Sequence, residues 1–396
     1  MNSVLARHPS VSSAVAAWRA AVARYPQAVS LADPMLDTMM APGSLGSPHV
    51  DQFAWVLQGR QTIPWRGKRQ LRGNVVQHEA RAAMDQVGDA RLQLAQITKQ
   101  AYYEYYLAHR QLELNSANRL ALSTFRANAL DRYEANLVTQ QDVLQADVEL
   151  ADLERQQIEF DRLERVATAR INTLLLRYPA TPLPPPPARL GAPVEPPDPN
   201  ELLGIAQASR PDLAAAVSKL RAEQASVSLA QREFKPDVEL VGRYDTFWQG
   251  ASGRPLQGQI GLNMNVPVQV ERRRAAVREA AARTSQQRAE VEQLSAQIQY
   301  EVQVAYERIR QAYREVEVFE KRLIPAANSN VNAAQAAYIT GKLDFLRLVE
   351  AQRERIELLN EQAVAVAAYY VGLAELERVV GGVLPTAPRG TRSARQ

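Results

Sequence analysis

The sequence is written twice. "RYEANLVTQQDVLQADVEL" (Arg132 to Leu150) returns as "AYITGKLDFLRLVEAQRER" (Ala337 to Arg355), with Tyr338 standing for Tyr133, Gly341 for Asn136 and Ala351 for Ala146. "RHPSV" (Arg7 to Val11) matches "SRPDL" (Ser209 to Leu213), and "TIPW" (Thr62 to Trp65) matches "NVPV" (Asn265 to Val268). Self-similarity at half the chain length constrains the fold strongly, because each half must build the same supersecondary plan. The halves are divided by "YPATPLPPPPARLGAPVEPPDPN" (Tyr178 to Asn200), an extended polyproline connector that cannot be helical. The expected organisation is a first structural repeat over 1–177, the connector over 178–200, a second repeat over 201–382 and a disordered tail over 383–396.

Each repeat reads as a short helix, a β-hairpin and a long helical hairpin. The hairpins of strands fall at about 34–64 and about 237–268. In the second, Val238, Leu240, Gly242, Tyr244, Thr246 and Trp248 alternate with Glu239, Arg243 and Asp245. Leu256, Ile260, Leu262, Met264 and Val266 then oppose Gln257, Gln259, Asn263 and Asn265. In the first, Phe53, Trp55 and Leu57 alternate with Gln52, Ala54, Val56 and Gln58. Period two with one apolar and one polar face marks a strand in a membrane barrel or a half-buried strand in a soluble sheet. Two hairpins make four strands, whereas the small membrane barrels have about eight. A membrane barrel would therefore be completed by other subunits.

Pro64 and Pro267 end the strands at strand-to-helix junctions. Basic residues follow, Arg66, Lys68 and Arg69 in one half and Arg272, Arg273 and Arg274 in the other. They suit either anionic lipid headgroups or a solvated first helical turn. No proline occurs from Trp65 to Tyr178. Gly73 to Asn136 would make roughly 90–100 Å of helix, and the next helix returns the same distance. That second helix carries a seam of Val143, Ala146, Leu150, Leu153, Gln157, Phe160, Glu164, Ala167, Ile171 and Leu174, a heptad pattern rich in small residues. The hairpin tips fall near 133–142 and 338–350.

Composition removes several chemistries. The 396 residues include no cysteine, which excludes disulfides, zinc–thiolate sites, thiol nucleophiles and a lipidated cysteine in this chain. The four histidines, His8, His49, His78 and His109, have no metal-ligand spacing. No phosphate loop or nucleophile motif is present, so neither an enzyme nor a cofactor is expected. The net charge of +4 comes with acidic residues interleaved among the arginines, which points to solvated helices and away from a nucleic-acid surface. "AVAVAAYYVGLA" (Ala363 to Ala374), the longest uncharged apolar run, is shorter than the about 20 residues of a spanning helix. The tyrosines of "AYYEYYLAHR" (Ala101 to Arg110) are expected to pack between helices.

The two tip motifs, the duplicated plan and "YYVGLAELERVVG" (Tyr369 to Gly381) resemble the outer-membrane factor (TolC) family of efflux and secretion channels. "RYPQAVSLADPML" and "QGRQTIPWRGKRQLRG" look most like members of heavy-metal efflux systems of the resistance–nodulation–division (RND) type. The resemblance implies a mainly α fold with a membrane β-barrel: a homotrimer whose twelve strands, four per chain, continue into a periplasmic α-helical barrel. It implies a passive exit duct in the outer membrane of a Gram-negative bacterium, extending into the periplasm. Its partners would be outer-membrane lipid, a periplasmic membrane-fusion adaptor and an inner-membrane pump of RND type, with no nucleic acid. The export signal such a protein uses is expected to be absent from this chain, since "MNSVLARHPS" has no apolar core.

By motif position the resemblance makes Asn136, Leu137, Val138, Thr139, Gly341 and Lys342 the adaptor-docking tip, with Asn136 in place of the usual glycine. It makes Glu350, Asp142, Asp344, Arg347 and Tyr338 the pore-gate candidates, Glu350 as aperture carboxylate and Asp142 in the tip's bonding network. The same carboxylates also suit solvated helix surfaces paired with Arg347, Arg353 or Arg132, and both readings stand at this point. Two other functions remain open: a type I protein-secretion exit channel, and a soluble coiled-coil scaffold whose strands form a dimerisation sheet.

Overall fold

A proline-free stretch of good helix formers has no internal reason to stop. In the computed structural model it becomes a single helix of 67 residues. The structure describes residues 1–41, 54–245 and 257–384. In chain order its elements are α1 (Asn2–Arg7), α2 (Pro9–Val29), β1 (Met35–Ala41), β2 (Ala54–Ile63), α3 (Lys68–Glu134) and α4 (Gln140–Leu174). The second half follows with α5 (Pro199–Ser209), α6 (Pro211–Arg232), β3 (Val238–Asp245), β4 (Gln257–Met264), α7 (Val270–Val318), a π-helical turn (Phe319–Leu323), α8 (Ile324–Ile339) and α9 (Phe345–Val380). Phe53, Thr246, Trp248 and Leu256 of the expected strands, His49, and residues 385–396 of the tail lie outside the described residues.

The π-helical turn has a local cause. Pro325 has no N–H, so the carbonyl of Lys321 loses its partner four residues on. The ladder widens there, and the Ile324 N–H reaches back to the carbonyl of Phe319.

Two units divide the chain, each drawing on both halves. One comprises Ala14–Val87 and Asp212–Leu294 and holds an antiparallel sheet in the order β1-β2-β3-β4. The register places Leu240 opposite Leu262, Gly242 opposite Ile260 and Val238 opposite Met264. It also places Leu57 opposite Tyr244 and Ile63 opposite Val238, and Met40 opposite Trp55. Because side chains alternate, one sheet face is mainly apolar across all four strands, with Thr38 and Gln61 as its polar members. Leu36 (74% exposed), Ile260 (86%) and Leu262 (74%) show how open that face is. The other face is polar: Arg60 pairs with Asp37 at 2.8 Å, and Asn263 Nδ2 donates to Glu239 Oε2 at 3.0 Å. Met35, Met39, Val56 and Val241 are among its apolar exceptions.

At the strand-to-helix junction Lys68 is buried, its Nζ 2.9 Å from both Glu233 and Asp237. Asp237 Oδ1 also accepts the Trp65 N–H at 2.8 Å. Arg69 donates to the Val29 carbonyl and Arg273 to that of Glu233. The basic residues after Pro64 and Pro267 are thus not a uniform lipid-facing or solvated cluster. Lys68 can turn inward because a buried cation needs carboxylate partners, which Glu233 and Asp237 supply. Arg66 and Arg272 stay exposed.

The other unit comprises Met1–Ser13, Gly88–Pro211 and the described residues from Ser295 onward. Here α9 buries Ala363, Ala365, Ala367, Gly372 and Ala374, small residues that let helices approach closely. A Cβ added to Gly372 would lie 3.8 Å from the Ile309 backbone. Along α4 the buried members of the seam are Val143, Ala146, Leu153 and Ala167. The tyrosines do more than fill space between helices. Tyr105 donates to the Pro184 carbonyl at 3.2 Å, Tyr370 to that of Gly191 at 2.5 Å and Tyr369 to that of Val194 at 2.7 Å. A proline-rich strand has few N–H groups and many free carbonyls, so phenol donors are suited to hold it. Burial pushes the Tyr103 phenol up to about 12, with the charges of Tyr370, Glu377 and Tyr102 adding to the shift.

Candidate gate at the helical tips

Both helical hairpins turn with one backbone design. The Asn136 N–H bonds the Tyr133 carbonyl at 2.9 Å and the Leu137 N–H that of Arg132 at 2.8 Å. In the second hairpin Gly341 bonds Tyr338 at 3.0 Å and Lys342 bonds Ala337 at 2.9 Å. This is the Schellman closure of a helix, which needs a left-handed residue at its centre. Asn136 has φ 55° and Gly341 has φ 70°. Asparagine takes the left-handed region because its short polar side chain tolerates it. Thr139 and Asp344 then occupy the N-cap positions of α4 and α9 in extended backbone.

The side chains break the symmetry. Tyr338 is 4% exposed and Tyr133 40%. Tyr338 lies against Phe345, ring centroids 5.5 Å apart, in a core with Leu122, Phe125, Val143 and Leu348. Arg132 crosses from the first tip to the second. Its Nη1 donates to the carbonyls of Tyr338 and Ile339, and its guanidinium carbon lies 4.6 Å from the Tyr338 ring centroid. The Arg132 Nε and the Tyr338 hydroxyl are buried without a hydrogen-bond partner.

Asp142 sits inside this arrangement. Burial and the neighbouring charge of Asp344 raise its carboxyl above the usual range, while Arg132 and a bond to Thr139 pull the other way. Burial and the charge of Asp142 likewise raise the Tyr338 phenol, opposed by Arg132. Asp142, Asp344, Tyr338 and Arg132 therefore form one electrostatic cluster. Glu350 and Arg347 stand apart from it, paired with each other at 2.9 Å along α9 with side chains 41% and 69% exposed. Leu137, Ile339 and Leu346 are apolar and exposed at the tips, Lys342 and Thr139 are exposed, and Val138 is half-buried.

Arg132 and Phe345 were the contributors that motif matching did not single out. A signal for Arg132 existed: the second repeat carries Ala337 at the equivalent position, so the first hairpin has a long cation where the second leaves space. Further along this unit a cavity of about 1300 Å³ lies beside the π-helical turn, lined among others by Phe319, Leu323, Gln352, Ile356, Asn360 and Val364. Gln352 is buried there and donates to Asn118 Oδ1 at 3.2 Å. Among the described residues, no group of histidine, aspartate and glutamate side chains is arranged to hold a metal ion, and no helix is long and apolar enough to cross a membrane.

Comparison with known proteins agrees with this architecture. Residues 202–382 match the outer membrane efflux protein family. No curated protein matches the chain by sequence. Among solved structures, the outer-membrane channel OprN is similar at TM-score 0.78 and 22% identity, over 96% of this chain and 88% of that one. The outer membrane protein VceC from Vibrio cholerae is similar at TM-score 0.79 and 19% identity, over 96% and 95%. CusC, whose structures describe transmembrane channel formation, is similar at TM-score 0.80 and 16% identity, over 96% and 91%. At these identities the likeness speaks for the fold, and the sequence match speaks for the family. Residues 202–382 are thus similar in sequence to the outer membrane efflux protein family, and nearly the whole chain shares its fold with outer-membrane channels.

Proposed function

We propose that three copies of this chain form a passive exit duct in the outer membrane of a Gram-negative bacterium, extending into the periplasm and serving a tripartite efflux system. The observation that carries this reading is the exposed apolar face of the four-stranded sheet. Ile260, Leu262 and Leu36 lie on one side of the strands, and Asp37, Arg60, Glu239 and Asn263 on the other. Lipid rewards such a face, whereas a soluble scaffold would have to cover it. The sheet also has two edges, β1 and β4, and hydrocarbon does not accept unpaired strand edges. Joining three four-stranded sheets edge to edge gives a closed barrel of twelve strands.

In this reading the helical tips are the gate. Asp142, Asp344 and Tyr338 belong to the closing network, and three Glu350 side chains, each beside its own Arg347, ring the aperture. The exposed Leu137, Thr139, Asn136, Gly341 and Lys342, with the half-buried Val138, present the docking surface to a periplasmic adaptor, which connects to an inner-membrane pump. Light scattering on detergent-purified protein tests the assembly: a particle three times the 44.0 kDa chain mass is expected, and a monomer would overturn the proposal. Planar-bilayer recordings test the duct, with Glu350→Ala expected to weaken cation preference.

A further inference from the structure

We propose that Arg66, Lys235 and Arg272 form a docking surface for the headgroup of an anionic phospholipid, at the end of the sheet where its strands pass into the long helices. This rests on the membrane reading above and adds to it the class of lipid that meets the chain there.

The topology brings the three cations to one place. Ile63 pairs with Val238 and Val238 with Met264, so β2 and β4 end and β3 begins in one row. The row runs on past the strands: Asp237 Oδ1 accepts the Trp65 N–H at 2.8 Å, and the Asn265 N–H donates to the Asp237 carbonyl at 3.2 Å. Arg66 follows Trp65, Lys235 precedes β3, and Arg272 lies in the first turn of α7. Two side chains tie these segments together. The Arg273 guanidinium donates to the Glu233 carbonyl at 2.9 Å, and that of Arg232 lies so close to Gly67 that a Cβ there would meet it at 3.2 Å.

The charge at this end is unbalanced. Glu233 pairs with Lys68 and Arg72, Asp237 with Lys68, and Glu271 with Arg274. Arg66, Arg232, Lys235 and Arg272 are exposed, and among the described residues none of the four has a carboxylate partner. Asp33, exposed ahead of β1, offsets one of them and leaves the end positive.

The neighbours of the cations select the partner. Met264 (59% exposed), Val266 (71%) and Val268 (77%) extend a run of open apolar side chains from β4 to the start of α7, and the exposed Trp65 stands between Ile63 and Arg66. Apolar surface, then indole, then cation is the order in which a lipid layer presents acyl chain, interface and phosphate. A guanidinium also matches phosphate oxygens two at a time. An acidic protein or nucleic acid would meet the charge and leave the apolar run uncovered.

Native mass spectrometry of the full chain in non-ionic detergent tests the proposal, with phosphatidylglycerol and phosphatidylcholine of identical acyl chains offered together. The parent is expected to favour phosphatidylglycerol by at least about tenfold, and added salt should shrink that preference. Combining Arg66→Gln, Lys235→Gln and Arg272→Gln should bring the ratio near parity, while Arg66→Lys with Arg272→Lys keeps most of it. Arg288→Gln, exposed and about 24 Å further along α7, should leave the ratio unchanged. An equal loss in Arg288→Gln would mean that net charge alone decides, and overturns the site. Displacement of the lipid by millimolar glycerol phosphate would make this a free-phosphate surface and overturn the lipid assignment. Should the triple variant not fold, Lys235→Gln and Arg272→Gln decide singly, by whether each lowers the ratio about fivefold. Equal retention of both lipids by the parent overturns the proposal and leaves the duct reading standing. Retention of neither lipid counts against the membrane reading itself, and this proposal falls with it.

Discussion

Tyr369 and Val194 are bonded twice: the Tyr369 hydroxyl donates to the Val194 carbonyl at 2.7 Å and accepts from the Val194 N–H at 2.9 Å. One phenol thus satisfies both backbone groups of a connector residue. Tyr369→Phe should cost about 1 kcal/mol, the usual net worth of such bonding, with the apolar ring unchanged. Its clearer signature is local. Trypsin should cleave after Arg189 faster in Tyr369→Phe than in the parent, and equal rates would mean that the tyrosines do not restrain the connector.

Asp142 gives a pH dependence with a defined sign. Burial and Asp344 raise its carboxyl in the folded tip, with Arg132 and Thr139 only partly offsetting them. Its contribution to stability is therefore full below the unfolded value of about 3.9 and lost as pH rises through the higher folded value. Asp142→Asn should raise the thermal midpoint at neutral pH, and the gain should shrink toward pH 4. A variant that gains nothing at neutral pH would contradict this account.

Lys68 makes a stability prediction at the junction. Lys68→Met keeps the volume but removes the cation shared by Glu233 and Asp237, leaving Glu233 only Arg72, at 3.4 Å. Breaking a buried ion pair costs about 3–5 kcal/mol, and the partial exposure of Glu233 places this case near the lower end. Adding Asp237→Asn should recover part of the loss. Thermal unfolding followed by tryptophan fluorescence would report it, since Trp65 donates its backbone N–H to Asp237.

The sheet faces predict opposite outcomes at neighbouring positions. Leu262→Arg should impair assembly by about 2–4 kcal/mol if it meets the middle of the lipid layer. Asn263→Arg, on the polar face, should be tolerated and should alter conductance. Equal tolerance would remove the assignment of faces.

The strands were legible because period two survives any partner: Ile260, Leu262 and Met264 alternate with Gln259 and Asn263 whatever closes the sheet. The length of α3 was legible from the missing prolines. Pro325 was equally visible, but a proline says only that the ladder is disturbed, and the form of the disturbance depends on the packing around it. Lys68 read as one member of a basic run, since a charge run does not announce which cation is paired and buried. Tyr133 and Tyr338 share a motif yet differ in exposure, because burial is decided by Arg132 and Phe345, positions at which the two matched stretches carry different residues, Ala337 opposite Arg132 and Gln140 opposite Phe345.

The pairing of β2 with β3 also bears on how the chain reaches this state. Its contacts run from Ile63↔Val238 to Val56↔Asp245, so they join residues about 180 positions apart, and contacts of such long range form late and slowly. The first β-hairpin emerges early in synthesis and must wait, with one strand edge open, for almost half the chain to follow. A chain in that condition is exposed to mispairing with its neighbours, so productive maturation depends on keeping the first hairpin occupied or dilute until its partner arrives.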